Sequence, residues 1–305
     1  MARRSWILLA ATAALWGASY LFIKVALDEL SEGAIVFVRV FLGAAVLVPL
    51  AARAGALGST RGRWRWLTVI TLVQVVAPFL LIVYGENHVP SALAGILVSS
   101  APIFTALLAT RFDHAERLRG WSFAGIVLGI AGVTLLFGAD LSGSGDAVAG
   151  GLMILLASLC YAAGSLLIKH RAAGIAPVAV AASNMAVASL VTLPLFLAAP
   201  PSAVPSAEAV GSLLALGVGG TGVAFLWYYL LIADLGPGRA SVVAYVAPAF
   251  SVLYGAVLLD EAVTLGTVGG LALILAGSYL AVAGGRRLSR TGPSRSTAPA
   301  PARAR

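Results

Sequence analysis

Charge is what this 305-residue chain has least of. Only 10% of its residues are Asp, Glu, Lys or Arg, where soluble domains carry about a quarter, and that shortage excludes an ordinary water-facing surface. Cysteine is nearly absent. Cys160 stands alone, so no intrachain disulfide can form, and a lone cysteine says nothing of the redox compartment. Histidine occurs three times, at His88, His114 and His170, always at the end of an apolar run and never beside a second ligand or a nucleophile. Neither a histidine metal pair nor a Ser-His arrangement is therefore available at depth, and neither enzyme chemistry, a metal nor a cofactor is expected. The net charge of +8 could suggest nucleic acid. The arginines, however, sit in short turns and a tail instead of lining one helical face, which is how orientation signals are distributed, so no nucleic-acid partner is expected.

What is present is apolar: 60% of the residues are hydrophobic and the mean hydropathy is +0.98. The runs between charges and turn residues predict an all-α integral membrane protein with ten spans. They fall near 5–26, 34–51, 66–85, 91–110, 120–138, 149–169, 176–198, 209–231, 239–258 and 264–283, each close to the ~20 residues that cross a bilayer. The opening MARRSWILLA has the positive start of a signal peptide, but its apolar run continues through Ile23, so it reads as the first span. Residues 286–305 lose all apolar periodicity and read as a disordered tail.

The chain is duplicated. Ala-Pro-x-Phe stands at Ala101, Pro102 and Phe104 and again at Ala247, Pro248 and Phe250. WGASYLFIK (Trp16–Lys24) falls on YAAGSLLIK (Tyr161–Lys169), Pro49 on Pro194, and Glu116, Gly125 and Gly132 on Glu261, Gly270 and Gly277. The repeats are 1–138 and 139–285. Five spans per repeat is an odd number, so the halves face opposite ways, and such inverted repeats support alternating access around a site near the midplane. Counting basic residues in alternate loops places Arg3, Arg4, Arg53, Arg61, Arg63, Arg65, Arg111, Arg117, Arg119, Lys169, Arg171 and Arg239 on one side. That side is cytoplasmic and holds both termini.

Ten spans in two halves, the run ending in Ser-Ala-Pro or Val-Ala-Pro, the following glutamates Glu116 and Glu261, the glycine-rich last helix of each half and the Trp16-Gly17 opening resemble the EamA family of the drug/metabolite transporter superfamily. The resemblance covers Trp6 to about Gly284. It implies a bacterial inner-membrane secondary transporter that exports a small metabolite, often an amino acid or related zwitterion. Sugar phosphates or nucleotide derivatives are a second substrate class, requiring several cations in the cavity. A non-transporting scaffold or an intramembrane enzyme is the reading from another class.

Candidate substrate-binding residues are Trp16, Tyr20, Arg39, Gln74, Tyr84, Ser99, Ser100, Tyr161, Asn184 and Tyr245. Arg39, inside the second span, either offers its planar fork to a substrate carboxylate or reaches the headgroups, or else pairs with Glu32 or Glu86. Its repeat mate is Asn184. Trp16, Tyr161 and Tyr245 would wall the central cavity with rings, or simply pack. Ser99 and Ser100 precede Pro102, which frees a carbonyl one turn back where a ligand could bind. Lys24 and Lys169 close the first helix of each half, as interface anchors or, for Lys24, in a gate pair with Asp28 or Glu86. Pro102, Pro248, Gly125 and Gly270 are structural, Pro78 is a candidate hinge, and the glycines of the last helices also offer a homodimer face. No acid reads as deep, Glu86, Asp260 and Glu261 lying at span edges, which favours facilitated export or exchange over proton antiport.

Overall fold

The computed structural model describes residues 3–112, 121–141, 144–235, 240 and 242–289. Glu116, His114, Arg117, Arg119, Arg239 and the tail from Arg290 onward lie outside them. Among the described residues there is no strand.

The helices are α1 (Arg3–Leu27), α2 (Glu32–Arg53), α3 (Trp64–Thr71), α4 (Ala77–Glu86), α5 (Ser91–Val98), α6 (Ala101–Phe112), α7 (Trp121–Ala139), α8 (Gly145–Arg171), α9 (Pro177–Ala198), α10 (Ala207–Leu214), α11 (Ala224–Leu235), α12 (Val243–Leu258) and α13 (Leu265–Ser289). A π-helical stretch, Leu72–Val76, joins α3 to α4, and a second, Ala215–Val223, joins α10 to α11. Eight continuous helical segments are long and apolar enough to cross a membrane, and Val243–Leu258 and Leu265–Ala281 supply two shorter ones. The ten expected spans are therefore found, as two inverted five-helix repeats.

Local sequence explains the ends. Ser31, Ser144 and Ser206 cap α2, α8 and α10 by accepting from the amides of Ala34, Ala147 and Ala209, which satisfies donors a helix start leaves open. Pro177 opens α9, where its missing N–H is not needed. The fourth span breaks at Ser99–Ser100, before Pro102, into α5 and α6. Pro248, its repeat mate, lies inside an unbroken α12.

Helix pairing follows the repeat. The first helix of each half packs on the third and fourth spans of the other: α1 on the second π stretch, α11 and α12, and α8 on the first π stretch, α4, α5 and α6. The second spans, α2 and α9, pack on each other, and so do the fifth, α7 and α13. This is the pattern a two-fold axis exchanging the halves requires. The α7–α13 seam is built of glycine. A Cβ on Gly125 or Gly277 would run into the backbone of the facing helix, one on Gly132 into Leu273 and Ile274, and one on Gly270 into Leu136. These glycines are thus consumed inside the chain, which corrects the expectation that they present a homodimer face. The opposite side of α7 exposes Phe123, Val127 and Ile130, an apolar surface suited to lipid.

The loops gather at two ends. At one, Ser31 Oγ donates to the Ala199 carbonyl, the Ser206 amide to Glu29, and Asn87 Nδ2 to Glu32. At the other, Arg63 donates to the Arg171 carbonyl and the Ala176 amide to Ser59. Arg171 also lies 4.1 Å over the Trp66 ring, in keeping with an aromatic belt there. Lys169 is exposed at this second end.

Candidate functional site

Arg39 is the centre of the buried polar groups. It is 7% exposed, Nε donates to Thr221 Oγ1 at 3.1 Å, and the guanidinium lies 3.8 Å over the Phe79 ring. Neither the headgroups nor Glu32 nor Glu86 takes it. Glu32 is bonded to Asn87, and both carboxyl oxygens of Glu86 are buried without a hydrogen-bond partner. A guanidinium in a membrane interior costs about 2.5 to 3.5 kcal/mol on insertion scales. Here a hydroxyl and a ring offset it, and no carboxylate among the described residues does.

Tyr20 from α1, Tyr161 from α8 and Glu86 from the end of α4 lie within electrostatic reach of Arg39. Gln74 sits in the first π stretch, against Gly164, one turn beyond Tyr161 on α8, and its side-chain oxygen is buried with no partner. Thr221, the partner of Arg39, sits in the second π stretch and donates to the Leu216 carbonyl five residues back. At the offset that carries Lys24 onto Lys169, Leu72–Val76 falls on 217–221, so the two stretches are repeat mates. A π turn widens the helix and leaves carbonyls out of the regular ladder, a device common at functional sites. Each half thus aims one such stretch at the cluster, with Gln74 on one and Thr221 on the other.

The remaining candidates are placed otherwise. Asn184 is buried and accepts from Thr71 Oγ1 at 3.1 Å. Ser99 and Ser100 donate to the carbonyls of Ile96 at 2.6 Å and Leu97 at 2.7 Å. Those carbonyls also accept the Ser99 and Ser100 amides, so the hydroxyls make the local backbone bonds that are the default for serine in a membrane helix. Trp16 packs its ring 5.1 Å from Tyr228 and 5.8 Å from Phe225, in a cluster with Leu231 and Val243, and is not joined to its mate Tyr161. Tyr245 donates to the Ser278 carbonyl at 3.4 Å. Tyr84 is 43% exposed. Of the ten candidates, the structure brings Tyr20, Arg39 and Tyr161 together, with Gln74 against Gly164 one turn along α8.

Three members were missed: Phe79, Thr221 and Glu86. Thr221 stands in GVGGTG, which as a run of small residues reads as close packing, and Gly217 and Gly222 do meet Leu42 and Val46 of α2. Pro78, just after Leu72–Val76, is the sequence signal that could have marked the first π stretch. Glu86 is the last residue of α4 and so does lie at a span edge, but the surrounding helices bury it fully.

Above this cluster the acidic end is closed. Lys24 Nζ donates to the main-chain oxygens of Glu86 at 2.6 Å and Val89 at 3.4 Å. It therefore neither reaches the interface nor forms the expected ion pair. Glu261 accepts from the Ser91 amide at 2.6 Å and the Ala92 amide at 2.9 Å, capping α5 from the other half, where a negative charge is favoured. Asp260, at φ 53°, turns the chain at the end of α12 so that the Glu261 amide returns to the Gly255 carbonyl at 3.0 Å, a left-handed residue just past a helix end.

The EamA-like transporter family model matches this chain twice, over residues 4–138 and 148–283. An uncharacterized transporter of Archaeoglobus fulgidus is 30% identical over 289 residues, 92% of this chain and 99% of that protein. The uncharacterized inner membrane transporter YedA of Escherichia coli is 28% identical over 85% of this chain and 83% of its own. A probable terminal-alkyne amino-acid exporter of Streptantibioticus cattleyicolor is 28% identical over 88% and 90%. A crystal structure of another protein superposes with a TM-score of 0.67 at 24% identity, covering 94% of this chain and 99% of that one. It shows the shared fold.

Proposed function

The chain belongs to the EamA-like transporter family, and from that premise we propose that it exports a small carboxylate-bearing metabolite, an amino acid or related zwitterion, by alternating access. The observation that carries this reading is Arg39, a buried guanidinium held by Thr221 and Phe79 and left without a carboxylate. A fork of donors already oriented and not neutralised suits a substrate carboxylate. Tyr20 and Tyr161 supply ring faces and hydroxyls beside it, and the unpartnered oxygen of Gln74 suits a substrate N–H. The named amino-acid exporter among the relatives supports the same class.

Arg39 is the one guanidinium in the cluster among the described residues, and Lys24 is taken up by main-chain carbonyls, which speaks against sugar phosphates and nucleotides, whose phosphates call for several free cations. Residues 1–138 and 139–285 act as the two moving halves, with both termini cytoplasmic in a bacterial inner membrane. The excess of Arg in the loops at the Arg63–Arg171 end supports that orientation. The seam between α1 and α12, where Gly17 lies against Ala247 and Phe250, is the surface on which the halves rock.

The test is uptake of a pool of labelled amino acids into inside-out proteoliposomes, with Arg39→Gln beside the wild type. Accumulation by the wild type, with loss in a variant that elutes as folded protein, is the expected result. A wild type that moves none of the pool refutes the substrate class.

A further inference from the structure

Glu86 is the last residue of α4 and is 0% exposed. The groups facing it come from each neighbouring element. Lys24 and Tyr20 belong to α1, Arg39 to α2 and Glu261 to the turn before α13. α8 sets Gly150 and Ile154 against the adjacent Gly85, and α5 opens at Ser91, whose buried hydroxyl likewise lacks a hydrogen-bond partner. Lys24 is close enough to bond the main-chain oxygen of Glu86 at 2.6 Å, yet neither carboxyl oxygen accepts from it.

That arrangement is informative. An ammonium–carboxylate contact adds the attraction of two opposite charges, which a low-dielectric interior strengthens and a neutral carbonyl cannot supply, so an ionised carboxylate would draw the ammonium onto itself. An ionised carboxylate left bare in a low-dielectric interior is also among the most unfavourable states a side chain can hold. Bare oxygens beside an ammonium that bonds the neighbouring carbonyl are the geometry of a neutral acid.

We propose that Glu86 is a proton-binding site and that its proton is the ion coupled to transport; this rests on the transporter reading above. In the closed form the carboxyl holds the proton and Lys24 holds the carbonyls of Glu86 and Val89. When the acidic end opens, water reaches the group and the carboxyl O–H bond breaks. The proton leaves to that water, and the electron pair stays on the carboxylate, which Lys24 then pairs. Reclosing requires that the carboxylate regain a proton or stay bound to Lys24, so proton occupancy biases which end is open. Arg39, one position further into the cluster, feels the same change of charge. Substrate binding and protonation are thereby linked, as any two ligands of one two-state element must be.

The experiment uses the full-length protein in proteoliposomes, with three readouts on wild type and Glu86→Gln. Counterflow of labelled amino acids at equal pH tests transport itself. An imposed pH gradient tests coupling. The infrared carbonyl stretch of a protonated carboxyl tests the site with no substrate present. Expected are a carboxyl band in the wild type that E86Q lacks, and a roughly tenfold acceleration of wild-type net flux by the gradient, about 1.4 kcal/mol. E86Q should lose the response, read as the ratio of its net flux with the gradient to its own counterflow without one, whatever counterflow rate it retains. Absence of the band in the wild type, or an E86Q protein that answers the gradient as the wild type does, overturns the proposal. A band without counterflow leaves the proton site standing and refutes the amino-acid reading. Should E86Q fail to fold, Glu86→Asp moves the carboxyl back by one methylene: a shifted carboxyl band is expected, and a band unchanged from the wild type overturns the assignment.

Discussion

Arg39 reaches across the boundary between the halves to Thr221, Nε to Oγ1 at 3.1 Å, and its repeat mate Asn184 reaches back to Thr71 at the same 3.1 Å. The second helix of each half is thus tied by one polar group to the third span of the other. Only the first of these ties carries a charge, so the symmetric scaffold holds an asymmetric site.

Replacing Thr221 by Val keeps the shape and removes the acceptor. The expected result is a folded protein with substrate affinity lowered about 10- to 150-fold, the ~1.5 to 3 kcal/mol worth of one hydrogen bond to a charged group, measured by concentration-dependent counterflow. Arg39→Lys should lose more than T221V, because an ammonium cannot both bond Thr221 and present a planar fork.

The glycine seam gives a contrast between two alanines. Gly277→Ala places a methyl against the backbone of Gly129 and Gly125, whereas Gly138→Ala meets nothing within 4 Å. Overpacking of this kind costs about 1 to 3 kcal/mol. In detergent, G277A should melt well below the wild type and G138A at or above it.

At the acidic end, Glu261→Ala removes the acceptor of two amides at the start of α5. With Cys160 first replaced by Ser and Val89 by Cys, a membrane-impermeant maleimide should label the E261A protein several-fold faster. Equal rates would mean that this cap does not hold the end closed. Asp260→Val, which forces a β-branched residue into a positive φ, should act in the same direction, and Asp260→Gly should not.

Glu29 provides a pH dependence outside the membrane. Hydrogen bonds from Ser206, side chain and then main chain, hold its carboxyl below the usual carboxylate range. A carboxylate lowered on folding stabilises above its unfolded value and loses that contribution as pH falls through the folded one. The 199–206 loop should therefore loosen as the pH falls from the ordinary carboxylate value through the lowered one. Exchange of the Ser206 amide hydrogen reads this directly, and Glu29→Gln should abolish the pH dependence.

The spans were legible because membrane helices need long apolar runs, and the duplication was legible because Lys24 and Lys169, or Pro102 and Pro248, recur in order. The site was only partly so. Arg39 announced itself as a charge within an apolar run. Glu86 did not, since its burial comes from α1, α2 and the turn at Glu261, which are distant in sequence. The π stretches were hidden for another reason: a helix with one residue too many per turn keeps the same apolar composition. Ser99 and Ser100 do stand at a break before Pro102, but that their hydroxyls turn to the Ile96 and Leu97 carbonyls is a local choice that sequence leaves open.

The cap on α5 has a consequence for how the protein is made. Ser91 and Glu261 are 170 residues apart, so when the fourth span leaves the ribosome its first amides have no partner from the chain. They acquire one only after the ninth span has been inserted and the turn beyond it synthesised. Translation thus delivers the first half before its acidic end can be sealed. A gene split between the halves would yield an amino-terminal piece able to insert but unable to shut that end until its complement arrives.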